Sequence, residues 1–194
     1  TEWLQGMQQG SIVLLAVIMG LMLAFDMGGP INKVAYAFML ICVAQGVYTV
    51  VAIAAVGICV PPLGLGLATL IGRKNFSSEE REAGKAALVM GCVGVTEGAI
   101  PFAAADPLRV IPSIMVGSAC GTVTAALFGA QCYAGWGGLI VLPVVEGKLG
   151  YIAAVAVGAV VTAVCVNVLK SLARKKVSQV DQKEDDLDLD FEMN

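Results

Sequence analysis

Residues 34–72 read VAYAFMLICVAQGVYTVVAIAAVGICVPPLGLGLATLIG, and this stretch contains no charged side chain. Residues 3–25 are equally free of charge, and residues 86–169 contain very few charges. Each stretch exceeds the roughly 18 to 20 apolar residues that cross a hydrocarbon core about 30 Å thick. Charged residues make up only 14% of the chain, too few to cover a soluble domain, which has about 25%. The pattern predicts an integral membrane protein.

The apolar segments predict an all-α membrane fold of about four transmembrane helices. These helices are expected at Ser11–Phe25, Val34–Val60, Ile114–Leu127 and Gly150–Leu169. Pro61-Pro62 is expected to stop the second helix, because proline lacks the amide donor and clashes with the preceding turn. Residues 63–71 are then too short to cross and suit a re-entrant segment. Glycine and proline interrupt residues 86–149, which predicts two further re-entrant hairpins around the third helix.

The polar segment Arg73–Lys85 places one end of the fold on the cytoplasmic side by the positive-inside rule. Ser77-Ser-Glu-Glu80 within it is typical of a helix start in water. A second basic group flanks the last span, at Lys170, Arg174, Lys175 and Lys176, so an even number of crossings should separate the two. Residues 1–172 form the predicted membrane domain. Residues 173–194 are acidic and poor in aromatics, which predicts a disordered cytoplasmic tail.

The net charge of −3 carries little information, because seven of the fifteen acidic residues lie in that tail. Nothing in it indicates a nucleic-acid partner. Six cysteines are spread singly through apolar segments, and the chain has no histidine. No metal site or cofactor is therefore predicted, and the cysteines are interpreted as packing residues.

The most informative polar residue is an acid inside the apolar stretch Gly94-Val-Thr-Glu-Gly-Ala-Ile-Pro-Phe102. A carboxylate at membrane depth costs about 2.5 to 3.5 kcal/mol, so Glu97 should face a partner, a cavity or a ligand. Glycine and proline would break a helix here, and exposed backbone at that depth is tolerated where it lines a polar cavity. The segment predicts a substrate pocket that includes Thr96 and Gly98. Alternatively, Glu97 pairs with Arg109 and only stabilises the fold.

Two further polar islands have a similar construction. Asp26-Met-Gly-Gly-Pro-Ile-Asn-Lys33 combines an acid, a flexible turn, an amide and a base, and Asp26 and Asn32 suit sugar hydroxyls. The alternative there is an interfacial ion pair between Asp26 and Lys33. In the third island, Gly135-Trp-Gly-Gly138, the indole of Trp136 either stacks on a sugar ring or anchors the chain at a membrane interface.

Gly94–Ser113, which includes Asp106-Pro-Leu-Arg109, and Asp26–Lys33 before it resemble signatures of the fructose-family enzyme IIC. This is the permease component of the bacterial phosphoenolpyruvate-dependent sugar phosphotransferase system, within the glucose superfamily. The resemblance covers about residues 10–170 and looks like the C-terminal half of a IIC domain. Many members have a histidine where this chain has Trp136, so any role of that histidine is absent here.

The resemblance implies a sugar-translocating subunit that couples uptake of a fructose-like sugar to its phosphorylation. Glu97 would contact the hydroxyl that receives the phosphoryl group, as the catalytic residue. Thr96, Gly98, Asp26, Asn32, Asp106, Arg109 and Trp136 would bind the substrate. Expected partners are a phosphorylated IIB protein or domain, the N-terminal half of the IIC domain, membrane lipid and a second copy in a homodimer. The expected location is the bacterial inner membrane, crossed several times.

The phosphoryl group would have to come from the phosphocysteine of the IIB partner, because the chain lacks a IIB-type cysteine loop and all histidine. Whether the chain counts as an enzyme by itself stays open. Two other functions are compatible with the residues. One is an ion-coupled secondary transporter, in which Glu97 and Asp26 would be proton or sodium sites. The other is an inactive structural membrane subunit.

Overall fold

The computed structural model describes the backbone of residues 9–192 and the side chains of residues 11–174. The helices in chain order are α1 Gln9–Phe25, α2 Pro30–Ala44, α3 Tyr48–Ile71, α4 Ser78–Val93, α5 Ile100–Ala105, α6 Pro107–Leu127 and α7 Lys148–Glu192. Short 3-10 turns cover Arg73–Asn75, Thr96–Ala99 and Leu139–Val144. Two strands, β1 Gln131–Cys132 and β2 Val145–Glu146, form an antiparallel pair.

The predicted all-α membrane fold is confirmed. Within the described residues, three helical segments are long and apolar enough to cross a membrane: Tyr48–Ile71, Pro107–Leu127 and Lys148–Arg174. The apolar helices Ser11–Phe25 and Pro30–Ala44 are shorter. Three full-length spans and two shorter helices therefore replace the four spans that the sequence predicts.

Helix α3 is the centre of the bundle. Every residue from Val50 to Gly66 is buried, and α3 packs against α1, α2, α4, α6 and α7. By contrast, α6 and α7 expose apolar side chains along one face, such as Val116 and Val164. The outer helices therefore present the lipid-facing surface, while α3 is shielded by protein.

The predicted stop at Pro61-Pro62 is wrong, because α3 continues through both prolines to Ile71. Residues 63–71 are therefore part of this helix and not a re-entrant segment. Proline at position 62 leaves the carbonyl of Ile58 without its helical donor, four residues earlier. The hydroxyl of Thr96 donates to that carbonyl at 3.1 Å, which replaces the missing bond. A neighbouring segment thus satisfies the group that the proline leaves unpaired.

The predicted second span, Val34–Val60, is interrupted where the sequence predicts continuity. Helix α2 ends at Ala44, and α3 begins at Tyr48. Gly46 has φ +73°, its amide donates to the carbonyl of Val43, and the amide of Val47 donates to that of Cys42. These two bonds form a Schellman motif, in which glycine takes the left-handed position that ends a helix.

Helices α4 and α5 form the hairpin predicted before the third span. Ser77 and Glu80 close α4 at its start with a reciprocal capping box, as the sequence suggests, and the helix continues to Val93. The six-residue helix α5 then returns towards Asp106. After α6, however, the chain forms the β1–β2 ladder and a 3-10 turn in place of the second predicted hairpin.

The two basic regions lie at the same end of the molecule, hereafter the basic end. Lys170 in α7 forms an ion pair with Glu80, and its ammonium lies 4.3 Å from the centre of the Phe76 ring. Arg174 donates to the carbonyl of Lys74 at 2.8 Å. These contacts agree with an even number of crossings between the two regions.

The backbone of α7 continues without a break past residue 172, into the segment predicted as a disordered tail. The domain boundary and the disorder of residues 173–194 stay predictions. Residues 193 and 194 lie outside the described part of the chain.

Candidate sugar site

The three polar islands of the sequence meet around one cavity of about 300 Å³. They are the α1–α2 turn, the tip of the α4–α5 hairpin and the loop after β1. The cavity is lined by Gly28, Asn32, Lys33, Tyr36, Ile58, Gly94, Val95, Thr96, Glu97 and Trp136. Of the predicted site residues, Glu97, Thr96, Asn32 and Trp136 are therefore brought together.

The α1–α2 turn is held by Asp26. Its carboxylate accepts hydrogen bonds from the backbone amides of Ile31, at 2.7 Å, and Asn32, at 2.9 Å. These amides belong to the first turn of α2, where helical partners are missing, so the carboxylate acts as a cap. The side-chain amide of Asn32 donates to the carbonyl of Leu23 at 2.6 Å and ties the turn to α1. Asp26 thus shapes the cavity wall without lining it.

Gly28 is the point of closest approach between this turn and Glu97. Its φ is +105°, a region that side chains other than glycine rarely adopt. A Cβ atom at this position would lie 2.7 Å from Oε1 of Glu97, well inside van der Waals contact. Met27 beside it also has a positive φ, of +45°. The turn is therefore held in an unusual backbone conformation directly against the carboxylate.

The hairpin tip lies near the middle of α3. Its anchor is the bond between the Thr96 hydroxyl and the carbonyl of Ile58. Ile58 precedes the end of α3 at Ile71 by thirteen residues, which corresponds to about 20 Å at the helical rise of 1.5 Å per residue. Glu97 is adjacent to this anchor. Its position is thus far from the basic end, about halfway along α3.

An aromatic pair closes one side of the cavity. The indole N–H of Trp136 donates to the carbonyl of Val93 at 2.7 Å, which satisfies an acceptor at the end of α4. The hydroxyl of Tyr36 donates to the carbonyl of Gly135 at 2.9 Å. The two rings meet edge to face, with centroids 6.3 Å apart. Trp136 therefore fixes the third island to both α2 and α4.

Glu97 and Lys33 provide the charges of the cavity. Both side chains are exposed in this chain, and both line the cavity. Within residues 11–174, the ion pairs are Asp106–Arg109 and Glu80–Lys170, and the hydrogen bonds do not involve the carboxylate of Glu97. The predicted alternatives, a Glu97–Arg109 pair and an Asp26–Lys33 pair, are therefore wrong. Arg109 and Asp26 are engaged elsewhere.

Asp106 and Arg109 lie outside this cavity. They form an ion pair with each other at 2.8 Å. Both line a larger cleft of about 690 Å³ at the basic end, together with Glu80 and Lys170. Gly98 is buried against Pro62 and does not line the cavity. Four of the predicted substrate-binding residues, these three and Asp26, thus do not line the cavity.

Lys33 and Tyr36 are cavity residues that the sequence prediction did not assign to the substrate. The available signal was their spacing. Tyr36 lies three residues after Lys33 and four after Asn32, so it lies on the same side of α2 as each of them. Once Asn32 is assigned to a pocket, helical geometry brings Tyr36 with it, and Lys33 follows Asn32 directly in the chain.

Metal-ligand chemistry is not apparent in the part of the chain that the structure describes. No group of three or more cysteine, aspartate or glutamate side chains is arranged there to hold a metal ion. The six cysteines are free thiols, three of them buried. The cavity chemistry therefore rests on one carboxylate, one ammonium, an amide and two aromatic rings.

Comparison with known proteins gives the family. No protein-family model matches the chain, and no solved structure matches it. The chain is 92% identical over all 194 residues to "Fructose-like permease IIC component 2" of Escherichia coli K12, and it covers 54% of that protein. It is 43% identical over 176 residues, 91% of the chain, to "Fructose permease IIC component" of Bacillus amyloliquefaciens, of which it covers 58%.

A third relative joins several components in one chain. The "PTS system fructose-specific EIIB'BC component" of Xanthomonas campestris is 49% identical over 173 residues, or 88% of the present chain and 30% of that protein. The present chain thus spans about half the length of the Escherichia coli and Bacillus amyloliquefaciens relatives, and 30% of the Xanthomonas campestris relative. By these similarities, the chain belongs to the fructose-like permease IIC family of the sugar phosphotransferase system.

Proposed function

We propose that this chain forms part of a phosphotransferase-system permease, and that a fructose-like sugar binds in the cavity between the three turns. The observation that carries the proposal is the carboxylate of Glu97. It lies about halfway along the central helix, lines a cavity, and has no ion-pair partner among residues 11–174. A charge held at such a depth is costly and is typically retained for a ligand or pathway.

The cavity residues suit a sugar. Hydroxyl groups both donate and accept, so the carboxylate of Glu97 can accept a bond from one hydroxyl while the Lys33 ammonium donates to another. The exposed ring of Trp136 offers an apolar surface for the face of a sugar. Its depth, beside the hairpin tip, favours this role over that of an interfacial anchor.

In the proposed reaction, Glu97 orients the hydroxyl that receives the phosphoryl group and accepts its proton. The hydroxyl oxygen forms a bond to phosphorus as the bond to the phosphocysteine sulfur of the IIB partner breaks, and the cysteine leaves as a thiolate. Such transfers depend mainly on positioning and charge neutralisation. Lys33, in the same cavity, takes the charge-neutralising role.

The partners follow from the same proposal. The basic end faces the cytoplasm of a bacterium, where a phosphorylated IIB protein or domain delivers the phosphoryl group, and the tail lies on that side. The name of the Xanthomonas relative, EIIB'BC, joins B and C components in one protein, which supports a IIB partner. The N-terminal half of a IIC domain completes the permease. We also propose the inner membrane as its location and a homodimer as its assembly.

A secondary transporter is the less supported alternative. It would require Glu97 to hold a proton or a sodium ion. The ammonium of Lys33 lines the same cavity and would repel a bound cation. Phosphorylation of the sugar remains the observation that separates the two mechanisms.

The test is Glu97→Gln in the complete permease that contains this chain, assayed with phosphorylated IIB. The amide keeps the size of the side chain but cannot accept a proton, so sugar phosphorylation should fall by about 10²-fold or more. Membrane insertion and thermal stability should be unchanged, because the carboxylate makes no hydrogen bond or ion pair within residues 11–174.

The matched control is Glu82→Gln, which removes an exposed acid at the basic end and should keep wild-type phosphorylation. Wild-type phosphorylation by the Glu97→Gln permease would exclude Glu97 from the mechanism. Ion-driven accumulation of unmodified sugar by the wild-type protein would instead support the secondary transporter.

A further inference from the structure

A second basic feature lies apart from the sugar cavity, in a groove between the end of α3 and the outer face of α4. The groove has a volume of about 320 Å³. It is lined by Thr69, Leu70, Arg73, Ser78, Arg81, Glu82 and Lys85. None of these residues lines the Glu97 cavity or the cleft with Asp106 and Arg109.

The groove concentrates positive charge. Arg73, Arg81 and Lys85 face one acid, Glu82, and the ion pairs found within residues 11–174 lie elsewhere. Arg81 uses its Nε to donate to the carbonyl of Ser77 at 3.3 Å, so its terminal nitrogens stay available. Arg81 and Lys85 are one helical turn apart, a spacing at which like charges repel each other. An anion between them would remove that repulsion.

An apolar strip continues from the basic groove towards the middle of the molecule. Leu70 and Ile71 at the end of α3 are 49% and 66% exposed. Val89, one turn beyond Lys85 on the same face of α4, is 65% exposed. Cations at the aqueous end of a membrane helix, followed by exposed apolar side chains below them, match a ligand with an anionic head and a hydrocarbon tail.

We propose that this groove binds an anionic phospholipid. The phosphate lies among Arg73, Arg81 and Lys85, and an acyl chain follows Leu70 and Val89. Basic residues at the ends of membrane helices attract anionic head groups, and a groove lets several cations act on one phosphate. The apolar strip selects a lipid over free phosphate, because only the lipid covers it. The inference is independent of the sugar mechanism, since it involves none of the same residues.

The experiment measures lipid binding to the complete permease, purified in a neutral detergent, by native mass spectrometry. The probes are phosphatidylglycerol, phosphatidylcholine with the same acyl chains, and inorganic phosphate. The groove variant is R73Q/R81Q. The matched control is K74Q/K148Q, which removes the same charge from two exposed lysines outside the groove, one of them adjacent to Arg73. Thermal stability of each variant verifies folding.

We expect the wild-type protein to bind phosphatidylglycerol more tightly than phosphatidylcholine, and the groove variant to lose about tenfold or more of that affinity. The control variant should keep the preference. Equal losses in both variants would overturn the proposal, because the effect would then reflect net charge alone. Displacement of the lipid by inorganic phosphate at similar concentration would overturn it too. Equal affinity of the wild-type protein for the two lipids would also overturn it. So would a groove variant that binds phosphatidylglycerol as tightly as the wild type does, even if its binding of phosphorylated IIB were weaker.

Discussion

The cavity around Glu97 and the cleft at the basic end contain the same types of charged residue in opposite arrangements. In the cleft, Glu80 pairs with Lys170 and Asp106 with Arg109. In the cavity, Glu97 and Lys33 are near each other without an ion pair. The paired acids are also the more buried ones, with side chains 14% and 15% exposed, whereas Glu97 is exposed. The Glu80–Lys170 pair joins α4 to α7, and the difference agrees with the proposal that Glu97 and Lys33 serve a ligand.

The largest expected effect is a loss of stability when the Glu80–Lys170 ion pair is broken. Lys170→Met removes the partner of Glu80 while keeping a long unbranched side chain, one heavy atom shorter than that of lysine. Both groups are largely buried, with side chains 8% and 14% exposed, so the remaining carboxylate would be desolvated and unpaired. We expect a loss of about 3 kcal/mol in the free energy of unfolding, measured by denaturant titration of the complete permease in detergent.

Lys74→Met, on an exposed lysine at the same end, is the control and should leave stability unchanged. Phosphorylation per folded molecule should stay close to wild type in both variants. A Lys170→Met protein as stable as the wild type would remove the distinction between structural and functional charges.

A smaller effect, on activity, is expected from Lys33→Gln in the Glu97 cavity. The variant should fold as well as the wild type, because Lys33 is exposed and forms no ion pair within residues 11–174. Its rate of sugar phosphorylation should fall about tenfold, less than for a fully enclosed group, and the KM for sugar should rise, because Lys33 is also proposed to donate to a sugar hydroxyl. Steady-state kinetics with phosphorylated IIB measures both quantities.

Lys148→Gln, an exposed lysine at the start of α7, serves as the control for loss of one positive charge. An unchanged phosphorylation rate in Lys33→Gln would show that this cation has no part in the transfer. A loss of stability comparable to that of Lys170→Met would place Lys33 with the structural charges.

The smallest effect concerns a fourth acid, Glu146, which pairs with a neutral group. The hydroxyl of Tyr133 donates to the carboxylate of Glu146 at 2.7 Å, in the ladder between α6 and α7. This hydrogen bond raises the pKa of Tyr133, because the carboxylate favours the protonated phenol. The stabilisation is therefore complete below the ordinary pKa of tyrosine and is lost as the pH rises through the higher folded value.

Glu146→Gln should return the pKa of Tyr133 towards its ordinary value. The measurement is an ultraviolet absorbance titration of phenolate, with Tyr133→Phe as the reference that assigns the transition. An identical titration in wild type and Glu146→Gln would mean that the pair does not form in solution.

Four of the residues that the sequence singled out lie at one cavity. Glu97, Thr96, Asn32 and Trp136 stood out because polar or aromatic residues beside glycines are rare within apolar stretches, and the fold brings them to one cavity. Arg109 was misplaced for a physical reason. Its spacing from Glu97 allowed a contact, but the intervening helix α5 leads back towards the basic end, where Asp106 lies three residues from Arg109.

Helix boundaries were harder to predict. The Pro61-Pro62 pair predicts a helix stop from local chemistry alone. In the structure the helix continues, and the hydroxyl of Thr96 from a neighbouring segment satisfies the carbonyl of Ile58. Conversely, the break after Ala44 depends on Gly46, whose role in a Schellman motif is inconspicuous among many glycines. Burial by neighbouring helices decided the first case, and backbone conformation decided the second.

Pro62 also affects where the α4–α5 hairpin packs along α3. In a regular α3, the carbonyls in the middle of the helix would all accept helical hydrogen bonds. The α4–α5 tip would then meet an apolar surface on which no single packing position is favoured by a hydrogen bond. Pro61 and Pro62 remove the helical donors of the Gly57 and Ile58 carbonyls, and the Thr96 hydroxyl donates to the second of these. The hydrogen bond from Thr96 to this carbonyl therefore fixes the α4–α5 tip, and with it Glu97, at one position along α3.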